Sequence, residues 1–315
     1  MFHITKKFVV YLNVIGILLL IGCYTKEQPK VLTAADQPTE QNIPEKQVDL
    51  WLTFYVKADG NDNNTGTTEE SPFRTLKKAL SQLKNASSKT IVVLGTLDPL
   101  SEESSDEDSV FVIKDSGPVE INIAGKPGTE AVLSARASNK RVLSVTGASR
   151  IHFQHIELSG GTSNEAGGGI FVGSGATVTL ADGTRILNNS TVVDGGGIFL
   201  DKGSSMTING ATVSDNRVDS LMGYGGGIYL KEGSTVFMSN GIIQTNRSSA
   251  ASGGGGGVFV DKDATFTVTG GSITGNSATD RGGGVYVASG GDFSGISFVS
   301  DNTASNGKDT YREQW

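Results

Sequence analysis

Five times between residues 167 and 287 the chain repeats a glycine triplet followed by an aliphatic–aromatic–aliphatic group: "GGGIFV" (167–172), "GGGIFL" (195–200), "GGGIYL" (225–230), "GGGVFV" (255–260) and "GGGVYV" (282–287). Measured at the third glycine, the steps are 28, 30, 30 and 27 residues. A second word follows each triplet: Ile186-x-x-Asn189, Val213-x-x-Asn216, Ile243-x-x-Asn246, Ile273-x-x-Asn276 and Val299-x-x-Asn302. Such a period decides the fold class before any local reading, because a unit too small to bury its own apolar face must stack on its copies.

Between the two words lies a short alternating segment: "TVTL" (177–180), "SMTI" (205–208), "TVFM" (235–238) and "TFTV" (265–268). Apolar residues hold one parity; Thr, Ser and once Phe hold the other. Alternation of this kind is a half-buried strand. Strand, turn, strand, turn and strand within about 30 residues make each copy one coil of a parallel β-helix, pairing with the next coil about 4.8 Å away. The 43 glycines fit a chain of many turns. Propeller blades are longer, at about 40–45 residues, and helical repeats need a 3.6-residue apolar period that is missing here. Membrane barrels need strands of about 10 residues, twice the length of these.

Within "GIFL" the flanking Ile198 and Leu200 share one face and Phe199 takes the other. With the aliphatics inside, Phe171, Phe199, Tyr229, Phe259 and Tyr286 form a stripe up one outer face: a candidate partner-binding surface, or a stabilising stack covered by loops. Asn189, Asn216, Asn246, Asn276 and Asn302 are expected to hydrogen-bond through their amides from coil to coil and to tolerate the left-handed backbone a tight corner needs. The glycines read as scaffold. No G-x-G-x-x-G opens a helix here, and no G-x-x-x-x-G-K-[ST] is present.

The first residues pair Lys6 and Lys7 with the uncharged apolar run "FVVYLNVIGILLLIG", which ends at the only cysteine, Cys23. This is the pattern of an export signal, and the run is short for a membrane span. Leu20-Ile21-Gly22-Cys23 resembles the bacterial lipobox. The resemblance implies cleavage before Cys23, lipid on its sulfur and amine, and anchorage in the bacterial envelope, at the outer membrane or cell surface. Residues 1–22 are then a lipoprotein signal peptide and 23–50 a flexible tether, polar and dotted with proline. Residues 51–160 hold an N-terminal cap and irregular coils, and 161–315 hold the regular repeats. Losing Lys6 and Lys7 with the signal leaves 24 basic against 33 acidic residues, a poor match for nucleic acid.

Two further resemblances involve the folded part. The linked words Gly-Gly-Gly-Ile/Val and Ile/Val-x-x-Asn resemble the passenger repeats of polymorphic outer-membrane proteins over about residues 165–305. That family uses Gly-Gly-Ala-Ile and Phe-x-x-Asn and adds a C-terminal membrane barrel, which this sequence does not show. "FYVKADGNDNNTGTTEESPFRTLKKAL" (54–80) resembles the opening of pectate-lyase-like β-helix proteins, where a Pro-Phe-x-Thr step leads into a capping helix. Leu76, Ala79, Leu80 and Leu83 share a helical face suited to that task.

Both resemblances, with the repeat, give a right-handed single-stranded parallel β-helix of about eight to ten coils with a short N-terminal capping helix. Its expected role is non-enzymatic adhesion or interaction, with a host or cell-surface protein or glycan as partner. The alternative is a polysaccharide lyase or another carbohydrate-active enzyme. A carboxylate-bound cation and a base, or two carboxylates in a groove, are what such chemistry needs. The visible acids instead sit with lysines at repeated turns: Asp201-Lys202, Lys231-Glu232 and Asp261-Lys262-Asp263. No catalytic residue, metal ligand or cofactor is assigned. His152 and His155 read as surface or turn residues, and "DGNDNN" (59–64) reads as either a calcium loop or an Asx turn. An exposed acidic cluster beside a lone Arg or Lys in one groove would favour the enzyme; a smooth, groove-free face would favour the adhesin or a passive spacer. No segment after Asn302 reads as a cap, which leaves the last edge open to another chain.

Overall fold

Alternating apolar residues close into a solenoid whose strands are all parallel. The computed structural model describes residues 51–83, 88–101, 106–117, 119–252 and 254–314. The signal, Cys23 and the tether lie outside the described residues, as do positions 102–105 of an acidic loop. The strands form three sheets, of 14, eight and five strands. Their register places like on like: Ile170, Ile198, Ile228, Val258 and Val285 are successive partners in the eight-stranded sheet. On the 14-stranded sheet Val178, Met206, Val236, Phe266 and Phe293 are likewise aligned. These columns point inward and are buried. A continuous apolar core along the axis results, with most of each coil's stabilisation supplied by its two neighbours.

The eight strands of the second sheet bound seven turns, fewer than the sequence led us to expect. The strands Trp51–Lys57 and Ser88–Leu97 precede that sheet's first strand, Ser109–Lys114, and pair with each other in the 14-stranded sheet. A helix, Leu76–Gln82, closes this end and buries Leu76 and Ala79. Thr75 caps it, its Oγ1 accepting from Lys78 N at 3.0 Å. Asp62 holds the cap in turn: Oδ1 accepts from the amides of Arg74 and Thr75, and Oδ2 accepts from the Thr75 hydroxyl at 2.8 Å. Asn63 N donates to Asn61 Oδ1 at 2.9 Å. The "DGNDNN" loop is thus accounted for by Asx-turn and capping bonds.

Each corner joins the two sequence words physically. The first glycine of every triplet is left-handed, as at Gly195 (φ 68°) and Gly225 (φ 68°). The third has no room for a side chain: a Cβ on Gly197 would lie 2.7 Å from Gly227 O and 2.9 Å from Asn216 Cγ. That glycine makes space for its own coil's amide. Asn189, Asn216, Asn246, Asn276 and Asn302 are buried and joined in one ladder. Each of the first four donates from both its backbone N and Nδ2 to the Oδ1 of the next, at 2.9–3.1 Å. The left-handed residue falls one place earlier than expected, at Asn188, Asp215, Thr245, Gly275 and Asp301. The ladder amide needs an ordinary backbone so that its side chain points inward.

The far end gains one more strand from residues that sequence reading left unassigned. Thr310–Arg312 pairs with Val285–Val287 as the last strand of the second sheet. Asp309 occupies the place of the third glycine, and its Oδ1 accepts from Asn302 N and Nδ2, both at 3.0 Å. A carboxylate thus stands where the next amide would be.

Candidate functional site

The second sheet carries the aromatic column on its outer side. Register pairs Phe171, Phe199, Tyr229, Phe259 and Tyr286 in succession. Their rings stack nearly parallel, with centroids 5.6, 5.3, 5.0 and 4.8 Å apart. Phe199, Tyr229, Phe259 and Tyr286 are only 4–9 % exposed, and Phe171 is half-buried. Two rings that the repeat did not reveal extend the column. Tyr311 stacks on Tyr286 at 5.3 Å, and Tyr224 lies over Phe259 at 4.9 Å. Tyr311 escaped notice because its coil reads "GKDTYR", keeping only the first glycine of the triplet. Stacking at one ring per coil turns the faces toward each other and leaves mainly edges outward.

Charged groups rim the column. Arg141 lies over the Phe171 ring at 5.0 Å, Lys231 over Phe199 at 5.9 Å, and Arg281 over Tyr311 at 5.1 Å. The Tyr229 hydroxyl donates to Asp261 Oδ2 at 3.1 Å. Burial, with Asp261 and Asp194 nearby, pushes the Tyr229 phenol far up, so it stays neutral. Burial also raises Asp194, against the backbone hydrogen bond it accepts from Tyr224. At Asp201 burial opposes ionisation, but the hydrogen bond and charge of Lys231 outweigh it and hold the carboxyl below its ordinary value. The turn charges pair from coil to coil, Lys231 with Asp201 and Lys202 with Glu232, each at 2.9 Å. Exposed pairs of this kind contribute little stability.

The 14-stranded sheet carries two features that repeat arithmetic did not find. The first is a surface groove of about 520 Å³ over the early coils, lined by Asp98, Glu130, Glu157 and Arg136 among others. Glu130 accepts from the Thr96 hydroxyl at 2.8 Å, and Glu157 pairs with Arg185 at 2.6 Å. Arg136 is the cation that lines the groove with these acids. The groove gathers residues from three irregular coils, so no period could align them. The second is Phe237, the one aromatic in the outward Thr/Ser parity, which is 44 % exposed. Elsewhere His152 lies on the strand Arg150–Gln154 with Nδ1 4.0 Å from Glu120, and His155 occupies a left-handed corner (φ 50°). Among the described residues no three His, Cys, Asp or Glu side chains come together as metal ligands.

No curated protein and no solved structure shows significant similarity to the chain. A family model described as the right-handed beta helix region matches residues 134–308, more than half of the sequence. The match spans the groove's later coils, the whole amide ladder and all five predicted rings, and this chain belongs to the right-handed β-helix family.

Proposed function

We propose that the chain is exported, carries lipid on Cys23 and presents its β-helix at the bacterial cell surface as a non-enzymatic adhesion or interaction module. The observation that carries this reading is the repetition of outward side chains in register. Thr177, Ser205, Thr235 and Thr265 form one column and the rim charges form others. A linear array of this kind matches an extended partner, a glycan chain or a protein strand, better than a single small substrate. Support for anchorage comes from the lipobox-like Leu20-Ile21-Gly22-Cys23. Support for surface display comes from the likeness of the repeats to polymorphic outer-membrane protein passengers, with the pectate-lyase-like opening consistent with either use of the fold. The aromatic column serves this module chiefly as its stiffening spine, since its ring faces are occupied by one another.

Two measurements test the proposal. Cells expressing the full chain should incorporate a labelled fatty acid into it, and Cys23→Ser should abolish the label. Display of the full chain on a non-adherent bacterium should raise attachment to host cells or to immobilised glycans. Absence of the label would remove the anchor, and absence of any attachment would remove the module.

The groove at Asp98, Glu130, Arg136 and Glu157 favours a second reading, a polysaccharide lyase acting on an acidic glycan. Release of unsaturated uronate from polygalacturonate, abolished by Arg136→Ala, would establish it over the first.

A further inference from the structure

We propose that the outward face around Phe237 docks chains of a neutral polysaccharide, an inference that rests on the interaction-module reading and names its partner class. Two columns run side by side on the 14-stranded sheet. Thr177, Ser205, Thr235 and Thr265 are register partners, and beside them Thr179, Thr207, Phe237 and Thr267. Seven of the eight positions carry a hydroxyl, the eighth carries a phenyl ring, and none is charged. Charge returns at the borders: Arg150 in the coil before, Asp292 in the coil after, and the turn residues Lys202, Glu232 and Asp263 ahead of the first column. In a chain whose net charge is −7, this is a neutral window.

The chemistry of the window is that of a sugar surface. A Thr or Ser hydroxyl both donates and accepts, as a sugar hydroxyl does, so the two match without fixed polarity. The C–H face of a pyranose ring packs on an aromatic side chain, and the Phe237 ring is 44 % exposed. Phe237 lies between Thr207 and Thr267 in its column, and among the described residues no ring or cation stacks on it. The buried rings of the second sheet differ on this point, because each has a neighbour on its face. The columns repeat about every 4.8 Å across the coils and stand about 7 Å apart along each strand. A repeating surface of that kind suits a polymer lying across several coils. Ordered water is the competing occupant of a hydroxyl array, but the projecting ring breaks the flatness a water lattice needs.

The test uses the full chain and the variant Phe237→Thr, which copies the residues above and below it and should leave circular dichroism and Tm unchanged. Wild-type protein should be retained by microcrystalline cellulose, chitin or curdlan, and polygalacturonate should not retain it. The variant should bind about tenfold more weakly. Equal retention of the variant would overturn the proposal, as would equal binding to polygalacturonate. Thermal hysteresis in cold solution without polysaccharide retention would assign the columns to ice and overturn it too. Should the displayed protein still attach to cells while no neutral polysaccharide retains it, only this inference falls; loss of all attachment removes the module reading as well.

Discussion

A corner amide such as Asn246 is held from every side. Its Nδ2 donates to Val213 O and Asn276 Oδ1, and its Oδ1 accepts from both the backbone and the side chain of Asn216. Asn246→Ala strands these buried partners and should destabilise the protein by about 2–4 kcal/mol in denaturant melts. Gly197→Ala drives a Cβ against the Gly227 carbonyl and Asn216 and should cost about 1–3 kcal/mol. Asp194 gives a pH signature. Its folded-state pKa is raised by burial, so its penalty is absent below the ordinary carboxylate range and grows as pH rises through the folded value. Asp194→Asn keeps an acceptor for Tyr224 N without the charge. Its Tm should exceed that of wild type at pH 8, with the gap closing near pH 3.

At the scale of the coil, the three-word repeat fixes which residues face inward, and parity alone was enough to read it. Ile198 and Leu200 are buried in the core while Phe199 is on the other side of its strand. Parity left open whether the outer rings would be bare or covered, and it placed the cover in loops; the cover comes from the next coil's ring and from Tyr224, a residue outside the repeated words. Phe259, with ring neighbours at 4.8, 4.9 and 5.0 Å, should lose about 3–5 kcal/mol on replacement by Ala. The same change at the half-buried Phe171 should cost distinctly less by the same melt. The amides were also legible as a ladder, but not their neighbours: whether Asn188 or Asn189 takes the left-handed turn depends on which side chain must point inward.

Over the whole molecule, each coil touches only those beside it, so stability should be graded along the axis. Amides of Ile198–Leu200 and Ile228–Leu230 should resist hydrogen exchange longest, and those of Asp292–Ser294 and Thr310–Arg312 should exchange first. Uniform protection would show a cooperative unit larger than the coil. The periodic half of the chain was readable because its residues recur at one spacing. The early coils were not: the groove assembles from residues 98, 130, 136 and 157, which share no spacing, and only the fold brings them together.

The amide ladder also has a direction. Every Asn donates toward its C-terminal neighbour, so the side-chain dipoles from Asn189 to Asn302 add head to tail, as peptide dipoles do along an α-helix. At the first end Gly161 N donates to Asn189 Oδ1, and at the last a pair of N–H groups meets the Asp309 carboxylate. Negative charge at the donor end is the electrostatically favoured arrangement, the same that places acids at helix N-termini. Coils grafted into this solenoid would therefore join smoothly only in one sense, each offering an acceptor to the coil before it and a donor to the coil after.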